Sequence, residues 1–266
     1  MSSTSPQVIA HRGYAADNPE NTVAAMRAAA ADDRTDAVEI DARLTADDRV
    51  IVFHDDDLTR LTDAPPAVSD TPVWELSYDE ISSYTVGDSD ESIPLLTEVL
   101  AAIPTSIEVN LELKHPGRDG LQFGAVDNDA REAAAGRWQP FVERALDVAT
   151  ATDHELLVSS FYEGALAATR AVAPAVAVAP LVDGVESGLT LAARYDAAAI
   201  HPPVRLLVDD AGETTPAGER LLAESHAANR RVNAWTVTTT QTARALDEAG
   251  VDGLITDTSA AGPSTG

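Results

Sequence analysis

The chain has 266 residues, no cysteine and a formal net charge of −26, from 44 acidic against 18 basic residues. That length suits one domain with a sizeable core, and the missing cysteines exclude disulfides and thiolate metal sites while leaving the redox compartment open. So large an excess of carboxylates argues against nucleic acid or an anionic membrane surface as a partner.

Taken in order, apolar runs and polar breaks alternate as strand and helix throughout. Strand one is Gln7 to Ala10. Helix one covers roughly Asn21 to Ala31, behind Pro19, with Asn18 or Asn21 as its cap. Strand two is Ala37 to about Leu44, and Thr45 to Arg49 after it is too short for a crossover helix. Val50 to His54 therefore returns antiparallel as a hairpin, with indices summing to about 94 across the pair, which lands His54 near Glu39 to Asp41. Residues 56–94, with Pro65, Pro66 and Pro72, break the rhythm and read as an insertion over the mouth of the fold or a surface loop, with some helix near Tyr78 to Ser83. Leu95 to Ile103 reads as helix, Ser106 to Leu113 as strand, and His115 to Gly136 as a long polar loop. Helices follow at Trp138 to Thr150, Leu166 to Val172, Ser187 to Arg194, Pro216 to Asn229 and Thr240 to Ala249. Strands are expected at Glu155 to Phe161, Val176 to Val182, Ala197 to His201, Arg231 to Val237 and Gly253 to Thr256, before a loose tail at Ala260 to Gly266. That makes nine strand candidates where a closed (β/α)8 barrel needs eight, and the hairpin strand is the natural extra. A competing assignment makes the hairpin strand a barrel strand and demotes a later one.

Three early strands end in chemistry: His11-Arg12-Gly13, Glu39-Ile40-Asp41 and His54-Asp55. Strand ends that carry acid, base and charge are the habit of the (β/α)8 TIM barrel. Glu39 and Asp41 are two apart on a strand and share a face, and Glu112 ends a later strand. Three carboxylates with no histidine or cysteine cluster form a hard oxygen site suited to Mg²⁺ or Ca²⁺, with Mn²⁺ also accommodated. A lone ExD is ordinarily a solvated strand face. His11 and His54 can act as an acid/base pair, because imidazoles titrate near neutrality. Arg12 and Lys114 suit a phosphate, the first as a fork and the second as a point charge. Glu20 and Asn21 either cap helix one or orient His11 or a metal-bound water. Phe161 and Trp235 end strands and either line a pocket or belong to the core. Asp257 reads as a cap or loop hydrogen-bonding residue.

The strings HRG at 11–13, PENT at 19–22, ExD at 39–41, HD at 54–55, ELK at 112–114, SSF at 159–161, AWTV at 234–237 and GVDGLITD at 250–257 occur in the order of one family. In these the chain resembles the glycerophosphodiester phosphodiesterases, a branch of the phospholipase-C-like phosphodiesterases. The resemblance implies metal ligation by Glu39, Asp41 and Glu112, catalysis by His11 and His54, and an insertion after strand two that shapes the substrate pocket. It implies metal-dependent hydrolysis of a glycerophosphodiester to a glycerol phosphate and an alcohol, through a cyclic phosphate or by direct attack of water. A lysophospholipase-D-like activity on lipid substrates and a catalytically inactive phosphate-ester binding protein are the alternatives. The stretch from Tyr14 to Asn18 lacks the family's usual glycines, and the loop after ELK is long, which leaves the headgroup open.

No basic-then-apolar leader marks the first residues, and no run approaches the roughly 20 apolar residues that span a bilayer, so a soluble cytoplasmic protein is expected. Lys114 is the sole lysine in a very acidic chain. That balance suggests adaptation to concentrated salt, which screens repulsion between dense carboxylates. The melting temperature is then expected to rise from low to molar salt, and equal stability at both would contradict the idea.

Overall fold

Strands and helices alternate along the computed structural model of the chain, which describes residues 5–261. The strands are β1 Gln7–His11, β2 Ala37–Leu44, β3 Val50–Val52, β4 Glu108–Leu113, β5 Leu156–Ser160, β6 Ala177–Pro180, β7 Ala199–Ile200, β8 Arg231–Val237 and β9 Gly253–Thr256. The helices are α1 Val23–Ala30, α2 Tyr78–Ile81, α3 Leu96–Ala102, α4 Arg131–Ala149, α5 Glu163–Val172, α6 Val185–Arg194, α7 Val204–Leu207, α8 Pro216–Ala227 and α9 Thr240–Ala249.

Eight strands pair in parallel in the order β6-β5-β4-β2-β1-β9-β8-β7. Backbone bonds from Ala198 to Val178 and from His201 to Pro180, both 3.0 Å, join β7 to β6 and close the ring. This is a TIM barrel. The remaining strand, β3, pairs antiparallel with β2 alone, in the register Ala42 to Val52, Arg43 to Ile51 and Leu44 to Val50. The expected hairpin register is therefore met, and β3 is the strand outside the ring.

Side-chain parity explains where the site sits. All eight residues of β2 are buried, as expected for a strand covered on both faces. Val38, Ile40 and Ala42 point outward into the main core against the helices, as do Val8, Ala10, Val109 and Leu111. The opposite parity points into the barrel, where Ile9, Ala37 and Ile255 pack together and Leu157, Ala179 and Ala199 form a second small cluster. Below them Arg231, Glu108 and Gln7 are joined by hydrogen bonds, with Arg231 Nη2 donating to Glu108 Oε1 at 3.0 Å. The inner apolar layer therefore closes one end. Continuing the same parity toward the strands' C-terminal ends brings His11, Glu39, Asp41 and Glu112 to the other.

The insertion has a core of its own. Ile51 and Phe53 of the hairpin are buried with Leu58, Val73, Leu76, Ile81, Val86 and Ile93. Helix α2 falls inside the expected helical stretch, where Ser77 and Glu80 form a reciprocal capping box.

Several boundaries differ from expectation. Helix α1 is capped by Thr22, whose hydroxyl accepts from the Ala25 amide at 3.1 Å, and neither Asn18 nor Asn21 holds that role. Asn21 instead lies in the left-handed region at φ 60°, where asparagine is tolerated. Helix α4 begins at Arg131 rather than at Trp138, because Arg131 to Ala135 are good helix formers and the helix continues through Gly136 and Pro140. The short α7 follows Pro203, where no helix is expected from the pattern. The C-terminal tail lies outside the described residues from 262 onward.

Candidate active site

Backbone geometry builds the first corner. The chain turns sharply after β1, with Arg12, Gly13 and Tyr14 all in the left-handed region at φ 52°, 75° and 64°. Gly13 is required twice over: its φ suits glycine, and a Cβ there would lie 2.8 Å from Ala25 Cβ, in contact with α1. The turn points the Arg12 amide at Glu39, donating to its carbonyl at 2.9 Å and to Oε2 at 3.2 Å.

Glu39, Asp41 and Glu112 are buried, and one carboxylate oxygen from each lies within 4.8 Å of the others. Burial, then repulsion from Asp41 and Glu112, pushes the Glu39 carboxyl well above the usual range. Burial acts on Asp41 in the same direction, but Lys114 and Arg12 overcome it and hold that carboxylate well below its usual value. Lys114 Nζ lies 2.7 Å from Glu112 Oε1 and 3.1 Å from Asp41 Oδ1, and Arg12 Nε approaches Asp41 Oδ2 to 3.2 Å. Asn21 clasps Asp41 on both sides, donating to Oδ2 at 2.7 Å and accepting from its amide at 3.3 Å. It therefore steadies a carboxylate rather than His11.

A divalent cation fits this donor set. Among the described residues Glu39 Oε1 is a buried oxygen that accepts no hydrogen bond, and three convergent carboxylates with no soft ligand are what a hard cation takes.

The two histidines are held alike. His11 Nδ1 lies 2.5 Å from Asp257 Oδ1, and His54 Nδ1 lies 2.6 Å from Asp55 Oδ1. An ionised carboxylate only accepts, so Nδ1 is the donor in each ring and Nε2 is the nitrogen left for the cleft. His11 Nε2 is 3.8 Å from Glu39 Oε2, so the free nitrogen faces the carboxylate cluster. Asp55 is clamped by Arg60, through Nε at 2.6 Å and Nη2 at 2.8 Å. Burial would raise the Asp55 carboxyl, but His54 and Arg60 hold it far below its ordinary value. Arg60 also grips both oxygens of Glu20 at 3.0 Å, and Glu20 accepts from Arg12 Nη1 at 2.8 Å. A continuous chain of hydrogen bonds and ion pairs thus runs from His54 through Asp55, Arg60, Glu20 and Arg12 to Asp41. Buried Arg43 adds a brace, donating through Nη2 to the His54 carbonyl at 2.5 Å and through Nη1 to the His115 carbonyl at 3.2 Å.

These groups surround one cleft of about 100 Å³, lined by His11, Arg12, Glu39, His54, Glu112 and Lys114 and, on its apolar side, by Phe161 and Trp235. Those two rings meet edge to face at 5.5 Å, and Phe123 from the loop after β4 stacks on Phe161 at 5.2 Å. Of the other side chains proposed from the sequence, Glu20 and Asp41 touch the cleft-lining Arg12, and Asn21 reaches the cleft only through Asp41. Asp257 is more than a loop residue, since it holds His11. Because β9 pairs with β1 at Ala10 and Thr256, the residue after Thr256 must lie beside His11. Asp55 is marked in the sequence only as part of the HD pair at 54–55, and nothing in residue type or spacing singles out Arg60 or Arg43.

The model of the glycerophosphoryl diester phosphodiesterase family matches residues 11–261. The chain belongs to this family. It is accordingly an enzyme, a phosphoric diester hydrolase. A glycerophosphodiester phosphodiesterase of Bacillus altitudinis is 28% identical over 255 residues, covering 94% of each chain. A phosphodiesterase of Oleispira antarctica, solved in complex with the product sn-glycerol-3-phosphate, superposes with a TM-score of 0.76 at 27% identity, covering 95% of this chain and 93% of that one. Human lysophospholipase D is 36% identical over 118 residues, which is 40% of this chain and 35% of the human protein. No helix among the described residues is long and apolar enough to cross a membrane.

Proposed function

We propose that the cleft hydrolyses glycerophosphodiesters to a glycerol phosphate and an alcohol, using His11 and His54 as the acid/base pair and a divalent cation at Glu39, Asp41 and Glu112. The observation that carries this reading is the matched pair of histidines. Each has Nδ1 anchored on a carboxylate, and both line a cleft shared with Glu39, Glu112 and two cations, to both of which Asp41 is paired. Cleavage of a phosphodiester needs a proton taken from the attacking oxygen and one given to the departing oxygen, and two imidazoles can divide that work. Arg12 and Lys114 would hold the phosphoryl oxygens, the guanidinium as a fork and the ammonium as a point charge. A bound Mg²⁺, Ca²⁺ or Mn²⁺ would supply Lewis-acid polarisation of a phosphoryl oxygen. Glu20 and Asn21 would keep Arg12 and Asp41 in place, and Phe161 and Trp235 would form the apolar wall of the pocket.

Turnover of a panel of glycerophosphodiesters is expected with Mg²⁺, Ca²⁺ or Mn²⁺, to vanish in excess chelator and to return when the ion is restored. Full activity in chelator would remove the metal from the reading. A second reading, hydrolysis of lysophospholipids, is favoured by one feature: Phe123 is 58% exposed beside Phe161 and offers an apolar rim to an acyl chain. Adding a lysophospholipid to the same panel separates the two, since the first reading expects the headgroup diesters to be cleaved faster.

A further inference from the structure

Arg60 does not line the cleft, yet its guanidinium holds the supports of two groups that do. Nε and Nη2 donate to the two oxygens of Asp55 at 2.6 and 2.8 Å, and Nη1 and Nη2 donate to the two oxygens of Glu20, both at 3.0 Å. Asp55 in turn anchors His54 Nδ1, and Glu20 accepts from Arg12 Nη1. One planar fork thus serves two carboxylates at once, which a point charge cannot do in the same geometry. The insertion fixes the backbone that carries it. Leu58 is buried in the insertion's own core and donates its amide to the Ser69 carbonyl at 2.9 Å. The Thr62 amide and hydroxyl then close the turn around Arg60 on the Leu58 carbonyl, at 3.1 and 2.8 Å. Stability alone does not explain so many bonds. The Arg60 side chain is 50% exposed, and ion pairs made by exposed side chains contribute little. Without the guanidinium neither carboxylate is stranded, because Asp55 keeps His54 and Glu20 keeps Arg12. What changes is where the two carboxylates point, and with them the imidazole and the phosphate fork.

Building on the phosphodiesterase reading, we propose that Arg60 is a positioning residue that aligns His54, through Asp55, with Arg12, through Glu20, and that the insertion serves the reaction by delivering it. The two arms do different work. Arg43 holds the His54 backbone through its carbonyl, but the ring is oriented by its bond to Asp55. That arm therefore acts on proton transfer and belongs to kcat. The Glu20 arm sets the fork that grips the phosphate, an interaction made by bound substrate as well as by the transition state, so it belongs to KM. A misplacement of about 1 Å caused by a change away from the chemistry can cost about 10²-fold in rate, so a residue that touches no substrate can still matter.

The test is a pair of double-mutant cycles read by steady-state kinetics on a glycerophosphodiester, with thermal melts beside them. Arg60→Met keeps an unbranched stem and removes all four bonds. It is expected to lower kcat by about 10²-fold and to raise KM by about tenfold, the scale of one hydrogen bond to a charged group, with a melting temperature close to the wild type's. In a His54→Ala background the same substitution should leave kcat unchanged and still raise KM. In a Glu20→Ala background it should leave KM unchanged and still lower kcat. Arg60→Lys keeps the charge but not the fork, so it should recover only part of either loss. Losses that multiply in both backgrounds are what a merely structural arginine gives, and they overturn the proposal. So does an Arg60→Met enzyme with wild-type kcat and KM, or one that melts far below the wild type. If the wild-type enzyme turns over no glycerophosphodiester in the panel, the phosphodiesterase reading itself fails, so the two failures are distinguishable.

Discussion

Replacing His11 or His54 by alanine is expected to lower turnover of a glycerophosphodiester by about 10²–10⁴-fold, the usual span for a lost general acid or base. The melting temperature should hardly move. Each ring is tethered through Nδ1 at the end of a strand, and neither belongs to the clusters of buried apolar side chains. Removing His54 leaves Asp55 still paired with both arms of Arg60, so no charge is stranded. Removing His11 frees Asp257, whose side chain is 27% exposed and can be met by water. The loss should therefore appear in kcat rather than in folding, as checked by steady-state kinetics beside circular dichroism and thermal melts. A substrate with a very good leaving group, such as a nitrophenyl ester, needs no proton at its departing oxygen. It should rescue whichever variant has lost the acid and not the one that has lost the base. If either variant keeps near-wild-type turnover on an ordinary diester, that histidine is outside the pair.

The contrast between these histidines and the residues behind them marks what a sequence can reveal. Parity explains how Glu39, Asp41 and Glu112 come together, because residues two apart on a strand share a face and a parallel register carries that face round the barrel, but by spacing alone an ExD reads as a solvated strand face, and it is the family resemblance that marks these three. The hairpin was readable too: five residues between β2 and β3 allow only an antiparallel return, and the turn fixes the register. Asp257 lay hidden for a different reason. Its contact with His11 spans 246 positions and exists only because the last strand closes on the first. Arg60 comes from a segment with no periodic pattern, and nothing local says that its guanidinium will bridge Glu20 and Asp55. Asn21 had a plausible local role as a cap, but the chain enters α1 one residue later and its amide turns to Asp41. Strand ends are thus legible, while the braces that depend on long-range closure, Asp257 on His11 and Arg60 on Glu20, are not.

Lys114→Met is expected to cut turnover by about 10²–10³-fold, the scale of about 2.7–4 kcal/mol seen when one charge-assisted donor to a transition state is removed. The fold should survive, since methionine keeps most of the length and apolar stem of the side chain. Electrostatics should nevertheless leave a second signature. Lys114 lies between Glu112 and Asp41, and it is the first of the charges that hold the Asp41 carboxylate below its ordinary value. A carboxylate with a depressed folded pKa contributes stability above its unfolded pKa and loses it as pH falls through the folded value. Without the ammonium that depression shrinks, so the variant should melt lower than wild type near neutral pH in chelator, and the gap should narrow under acid. A divalent cation would take over the neutralising role, and binding to the native state alone raises stability. Mg²⁺ should therefore raise the variant's melting temperature more than the wild type's, while turnover stays low in both conditions. Lys114→Arg should recover much of the stability but only part of the rate, because the guanidinium fork reaches its partners differently from a point charge. Normal cleavage by Lys114→Met would leave phosphate binding to Arg12 alone and reduce the lone lysine to a counter-charge for its two carboxylates.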